Sequence, residues 1–184
     1  KPIVSPADAT LIRQSADEIE HRLLAGQALL RDAAVDQYLQ RVADKLLPPA
    51  AGPSVRVHAI KDVDANAFAL PNGAVFVTTE LLQRLDNEAQ LACVLGHEQT
   101  HFTNLHAQKE WRSAERHKNW AFALRVLLVA AASAATNNTS TLQAADTLSG
   151  ATVQLWSMAS ISGYSRELET EADEVGLQRL IAAG

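Results

Sequence analysis

The sequence predicts an α+β domain that is mainly helical, with a small antiparallel sheet set beside one helix of special composition. Three observations carry this. Long stretches toward both ends and in the middle of the chain repeat apolar residues at helical spacing. Two short apolar segments flank Pro71-Asn72-Gly73, a turn sequence. Directly after them, His97 and His101 stand four apart in a stretch that otherwise reads as a helix.

From Thr10 to Leu47 the apolar positions Leu11, Ile12, Ile19, Leu23, Leu24, Leu29, Leu30, Val35, Leu39, Val42 and Leu46 mostly follow helical spacing, with Gly26 the point of division or bending and Pro48-Pro49 the end. Val55, Val57 and Ala59 alternate with Arg56 and His58, a strand with one apolar side, which assigns His58 to the surface. Asn66 to Leu70 and Ala74 to Thr78 should then pair as a tight hairpin, since proline presets the turn angle and Asn-Gly tolerates positive φ. A short helix from Thr79 to Leu85 follows. Asp86 or Asn87 caps the next helix, and Gln90 fits a reciprocal cap. There Leu91, Val94 and Leu95 turn inward with the two histidines, and the helix runs to His106 or beyond. Trp111 and Trp120 pack in the core or along a cleft. The most apolar run, Trp120 to Ala135, is 16 residues with Arg125 inside it; a membrane span needs roughly 20, so a core or interfacial helix is expected. Ala131 to Val153 turns to Ala, Ser, Thr and Asn, a connection or a lid. The last helix, Ser165 to Leu180, is capped by Ser165 or Ser162. Its Gly176 costs about 1 kcal/mol relative to Ala, a cost that close approach of the helix carrying His97 would explain.

A chain of 184 residues can bury one substantial core, so residues 1–184 are expected to form a single domain. Apolar residues at 47% against 20% charged exclude a disordered chain, and a net charge of -5 with scattered Lys and Arg excludes nucleic acid as a partner. Cys93 alone cannot build a disulfide framework. It reads as a small buried residue and not as a ligand beside His97, because helical turns rising about 5.4 Å each cannot bring three side chains to bonds of about 2.0–2.3 Å. Neither an initiator Met nor a signal peptide is visible at Lys1-Pro2-Ile3, consistent with a processed or trimmed form.

The chemistry resides in His97-Glu98-Gln99-Thr100-His101. Both imidazoles can reach one metal from a single helical face while Glu98 lies beside it, which suits a zinc-activated water flanked by a carboxylate base. Catalytic zinc usually has three protein ligands. The acidic run Glu167, Glu169, Glu171, Asp173 and Glu174 supplies candidates. Glu169 and Asp173 share the face that carries Gly176 and Leu180, so Glu169 is assigned to the metal and Asp173 to a hydrogen bond orienting a ligating imidazole. The alternative is a solvated acidic helix paired with Arg166 and Arg179. His106 and His117 read as surface or cleft-rim residues, and His21 has no companion pattern.

Three stretches, DANAFALPNGAVFVTTELL (64–82), NEAQLACVLGHEQTH (87–101) and GYSRELETEADEVGLQRLIAAG (163–184), together resemble the M48 family of zinc metallopeptidases. That family includes CAAX-prenyl proteases, HtpX-like membrane proteases and soluble bacterial periplasmic members, the last being nearest in look. The resemblance implies a zincin-like, gluzincin-type fold with one Zn2+ per chain at His97, His101 and Glu169, Glu98 as catalytic base and Asp173 behind a ligand. It also implies an edge strand near Ala74 to Thr78 that receives substrate, so that Ala74, Val75, Phe76, Val77 and Asn66 line the cleft. The activity implied is endopeptidase cleavage of misfolded or unfolded polypeptides in the bacterial periplasm or at the outer membrane. Relatives of this kind include lipoproteins and proteins with C-terminal helical repeats, so peripheral or lipid-anchored membrane association and a repeat domain in the full-length protein are compatible with it. The oxyanion-stabilising groups of the family are expected beyond Ala182-Ala183-Gly184, leaving Tyr164 or Arg166 to support the transition state here. Rival readings are a catalytically weak zinc module that holds unfolded chains or partner subunits, and a zinc hydrolase of small amides.

Overall fold

Two helices arise from the first amphipathic stretch. In the computed structural model, which describes residues 2–47, 54–116 and 164–184, α1 spans Pro6–Ala25 and α2 spans Ala33–Leu46. Ser5 caps α1 by accepting the Asp8 N–H at 3.1 Å, with Pro6 in the first turn where no intrahelical donor is needed. At Gly26 the backbone turns extended, dividing the stretch, and Asp32 restarts it by accepting from Ala34 and Val35 N–H at 2.9 and 3.2 Å. Trp120, the apolar run Trp120 to Ala135, the segment from Ala131 to Val153, His117 and Ser162 lie outside the described residues. No described helix is long and apolar enough to cross a membrane.

Strands β1 (Arg56–Ile60), β2 (Ala67–Ala69) and β3 (Ala74–Thr78) form one sheet in the order β1-β3-β2. The expected hairpin is the antiparallel β2–β3 pair, closed by Gly73 at φ 90°, and β1 joins the other side of β3 in parallel. This topology corrects one expectation. Strand β3 is the centre of the sheet, and Ala74, Val75, Phe76 and Val77 are fully buried, so those four residues cannot receive a substrate strand. Their backbone groups are engaged on both sides. Of the two edges, that of β1 is covered by the chain before α2, where Leu30 N–H reaches Ala59 O at 2.9 Å and Lys61 N–H reaches Ala28 O at 2.6 Å. The other edge belongs to β2.

Both sheet faces are buried, which explains why β2 and β3 read as continuous apolar runs. Ile60, Phe68, Leu70, Ala74 and Phe76 pack on Ala16, Ile19 and Leu23 of α1. On the opposite face, Val57, Ala59, Ala67, Ala69, Val75 and Val77 meet α2 through Leu39, Val42, Ala43 and Leu46, and the next long helix through Leu91, Ala92 and Leu95. The polar side of β1 therefore lies toward α1, with Arg56 still exposed at its rim and His58 covered. Arg56 forms a two-pronged pair with Glu20, 2.8 Å at each nitrogen, and His58 is half-buried with its ring 5.4 Å from Phe76, correcting its assignment to the surface.

After the short helix α3 (Thr79–Arg84) come α4 (Glu88–Thr103), α5 (His106–Arg116) and α6 (Arg166–Ala183). Asn87 caps α4 through the Gln90 N–H at 3.0 Å, and Gln90 Oε1 accepts from Asp86 N–H at 2.7 Å. Cys93 is exposed on α4, against the expectation of burial, because the inward face is filled by Leu91, Ala92 and Leu95. Trp111 of α5 is buried with Val4, Ile12 and Ala107. Helices α4 and α6 touch backbone to backbone at a glycine pair: a Cβ on Gly176 would fall 2.8 Å from His97 N, and one on Gly96 would fall 3.0 Å from Gly176 O. That contact sets the height of the α6 carboxylates above the α4 histidines.

Candidate metal centre

Where α4 and α6 cross, three side chains converge. His97 Nε2 and His101 Nε2 lie 2.9 Å apart, and Glu169 Oε2 lies 3.4 Å from the first and 3.9 Å from the second. Four atoms arranged tetrahedrally about 2.0 Å from a centre are about 3.3 Å from one another, and the three observed edges straddle that figure. Two imidazoles and a carboxylate on such a triangle fit a single divalent ion with a position left open. Among the described residues this is the group of His, Cys, Asp and Glu side chains spaced to hold one.

The surroundings keep the His101 imidazole in ligating form. Burial pushes the His101 imidazole down to about 3, with the charges of His97 and His106 acting in the same direction, so the ring is neutral at ordinary pH. Burial also raises the Glu169 carboxyl; the charge of His97 works against this and that of Asp173 with it. Behind His97, Asp173 Oδ1 sits 2.8 Å from Nδ1. Glu98 lies on the neighbouring face of α4, buried, and accepts a backbone hydrogen bond from Ala69 of β2. Burial drives its carboxyl up to about 8, opposed by the Ala69 bond and aided by the Glu169 charge. A dication on the triad acts in the opposite sense.

Tyr164 stacks on His101 with ring centroids 4.3 Å apart and planes 16° apart. Burial, then the charges of Glu98, Glu169 and Glu110, push its phenol above the usual range, so it stays a neutral donor. Arg166 is exposed at the start of α6, next to Glu167, and no contact joins it to the triad. Asn66 leads into β2 half-buried, its backbone N–H and C=O bonded to Thr78 Oγ1 and N–H, each at 2.9 Å. Arg179, a candidate partner for the acidic run, instead donates to Thr103 Oγ1 at 2.7 Å.

Sequence reasoning missed His106. Extending α4 through this residue swings its side chain away from His101, but α4 stops at Thr103, Leu105 takes φ 56°, and α5 begins anew at His106. The reversal buries His106 completely, with Nδ1 3.0 Å from His101 Nδ1. Glu171, from the opposite face of the acidic run, comes to the same place and is held by Lys109 Nζ at 3.0 and 2.9 Å and by Asn104 Nδ2 at 2.6 Å. The available signal was Asn104, a residue that favours helix ends.

With this geometry, comparison with known proteins is decisive. The sequence profile of peptidase family M48 matches residues 29–184. The chain belongs to that family. Among M48 and related proteins it is similar to the beta-barrel assembly-enhancing protease of Escherichia coli (strain K12), 29% identical over 175 residues, which cover 93% of this chain and 34% of that protein. It is also similar to the mitochondrial metalloendopeptidase OMA1 of Schizosaccharomyces pombe, 32% identical over 148 residues, covering 79% of this chain and 39% of the relative. A putative beta-barrel assembly-enhancing protease of Vibrio cholerae is 28% identical over 196 residues, covering all of this chain and 39% of the relative. This M48 chain thus spans between a third and two-fifths of the length of these relatives.

Proposed function

We propose that this chain is the metalloprotease domain of a zinc-dependent endopeptidase, with His97, His101 and Glu169 as the ligands. The observation that carries the proposal is the near-tetrahedral triangle of their ligating atoms, with Glu98 buried alongside. Two histidines and one glutamate match the donor set of catalytic zinc, which leaves a coordination position for water or substrate. Bound there, zinc lowers the pKa of a water and polarises the carbonyl to be attacked. Glu98 takes the proton from the attacking water and returns it to the leaving amine. Asp173 holds the His97 ring through Nδ1, leaving Nε2 for the metal. Tyr164, neutral and buried beside the charges of Glu98 and Glu169, is the residue best suited to support the oxyanion; Arg166 is exposed at the start of α6.

The substrate strand belongs on β2. Asn66, Phe68 and Leu70 spend their backbone bonds on β3, so alternation leaves the polar groups of Ala67 and Ala69 on the outer side, toward Glu98. Ala69 N–H is engaged by Glu98, and the remaining edge groups can hold an extended peptide across the triad with Asn66 at its entrance. Recognition through backbone suits misfolded or unfolded chains. The family resemblance, together with relatives named for beta-barrel assembly, supports action in the bacterial periplasm in peripheral or lipid-anchored association with the outer membrane. The same resemblance supports helical repeats elsewhere in the full-length protein.

The test is Glu98→Gln. Casein cleavage should fall by roughly 10²–10⁴-fold while zinc content stays at one per chain. Cleavage at the wild-type rate would refute the role of Glu98, and a zinc-loaded wild type that binds unfolded chains without cutting them would favour a binding module instead.

A further inference from the structure

The two imidazoles of the triad are held from behind in different ways. His97 Nδ1 meets a carboxylate directly, Asp173 Oδ1 at 2.8 Å. His101 Nδ1 meets a second imidazole, His106 Nδ1 at 3.0 Å, with ring centroids 4.9 Å apart and planes 83° apart. A carboxylate appears only beyond that ring: Glu171 Oε2 lies 3.4 Å from His106 Nε2, near enough to act through its charge but without the geometry of a hydrogen bond.

Proton bookkeeping assigns every atom in this row. With His101 Nε2 turned toward the metal position, the single proton of the neutral ring sits on Nδ1 and is donated. His106 Nδ1 is the atom in reach and must accept, so His106 carries its own proton on Nε2, the nitrogen on the side of Glu171. Glu171 is in turn an acceptor for Lys109 and Asn104. No other arrangement of one proton per ring satisfies both nitrogens of His101. His106 is fully buried at the first residue of α5, between the rings of His101 and Tyr164, whose centroids lie 4.9 and 5.9 Å from its own.

We infer that His106 is a positioning residue that fixes the tautomer and ring plane of His101, and that the charge of Glu171, clamped by Lys109 and Asn104, favours the His106 tautomer protonated on Nε2. The inference rests on the zinc-peptidase reading. Its chemical consequence is an asymmetric pair of ligands. Asp173 makes His97 the more electron-rich donor, whereas a neutral imidazole behind His101 holds that ring without placing another negative charge at the site. The charge of Glu171 is kept one ring away and is answered by Lys109, so the bound ion retains more of its capacity to polarise a carbonyl.

The experiment uses His106→Leu and His106→Gln in the full chain, with zinc affinity measured by competition against a chromogenic chelator. The Gln amide can accept from His101 with its oxygen and donate to Glu171 with its nitrogen, so it should bind zinc within a few-fold of wild type. Leu removes the acceptor, and affinity should fall by roughly 10–100-fold. Equal affinities for wild type and a folded His106→Leu would overturn the inference. Nitrogen-15 NMR of the unmodified zinc-loaded protein decides the matter even if His106→Leu does not fold: a proton on His106 Nε2 supports the relay, and a proton on His106 Nδ1 overturns it. Wild type that binds no zinc would instead sink the peptidase reading itself, which keeps the two failures apart.

Discussion

Replacing Gly176 by Ala adds one methyl group at the point where α6 lies on α4. The new Cβ would stand 2.8 Å from His97 N and 2.9 Å from the Gly96 carbonyl carbon, against the 3.4 Å at which ordinary contacts begin. Those neighbours are backbone atoms and cannot rotate aside. The helices must therefore part by about 0.6 Å, the difference between those distances. Alanine recovers about 1 kcal/mol of helix propensity, whereas overpacking costs about 1–3 kcal/mol. Rigid neighbours put the cost at the upper end, for a net loss of about 1–2 kcal/mol. The metal site should suffer more, because Glu169 rides on α6 while both histidines ride on α4, and a shift of about 0.5 Å already exceeds the tolerance of a ligand set. Urea denaturation with and without zinc, combined with chelator competition, should show lower stability and at least tenfold weaker zinc binding. A Gly176→Ala protein more stable than wild type, with unchanged affinity, would refute the close approach and the lever drawn from it.

The remaining predictions concern charge and backbone. In EDTA the protein should lose stability between pH 6.5 and 8. Folded Glu98 keeps its proton up to about 8 against 4.5 unfolded, so its contribution is lost as pH rises through that window. His101 slopes the other way, its contribution being lost as pH falls from 6.5 toward about 3, and so it opposes Glu98 only below 6.5. The fall from 6.5 to 8 is at most about 2 kcal/mol, read from urea midpoints, and Glu98→Gln should remove it; an equal fall in both proteins would count against a buried Glu98. Asp173→Asn should weaken zinc binding about tenfold, the low end of such effects, because its side chain is 75% exposed; an unchanged dissociation constant would rule out its hold on His97. Leu105→Asn should raise stability by about 0.5–1 kcal/mol by relieving the left-handed backbone, since Leu105 at φ 56° is substantially exposed. A lower melting temperature would show that its packing outweighs the strain.

Local rules made much of this protein legible from its residues. The Pro71-Asn72-Gly73 turn, the Asn87 and Ser165 caps and the i,i+4 pairs are short-range features, set by φ preferences, side-chain reach and helical period, and each stands in the fold where those rules put it. The cost of Gly176 even pointed to its neighbour, because a glycine inside a helix asks for a close backbone. Tertiary structure alone decided the rest. That β3 is central and β2 the edge depends on β1 pairing in parallel across a sequence gap, which no local pattern encodes. His58 and Cys93 exchange their expected exposures because burial is set by which helix covers a face. His106 and Glu171 join the site only because one residue at φ 56° reverses the chain, and a periodicity argument fails at the residue where the period stops.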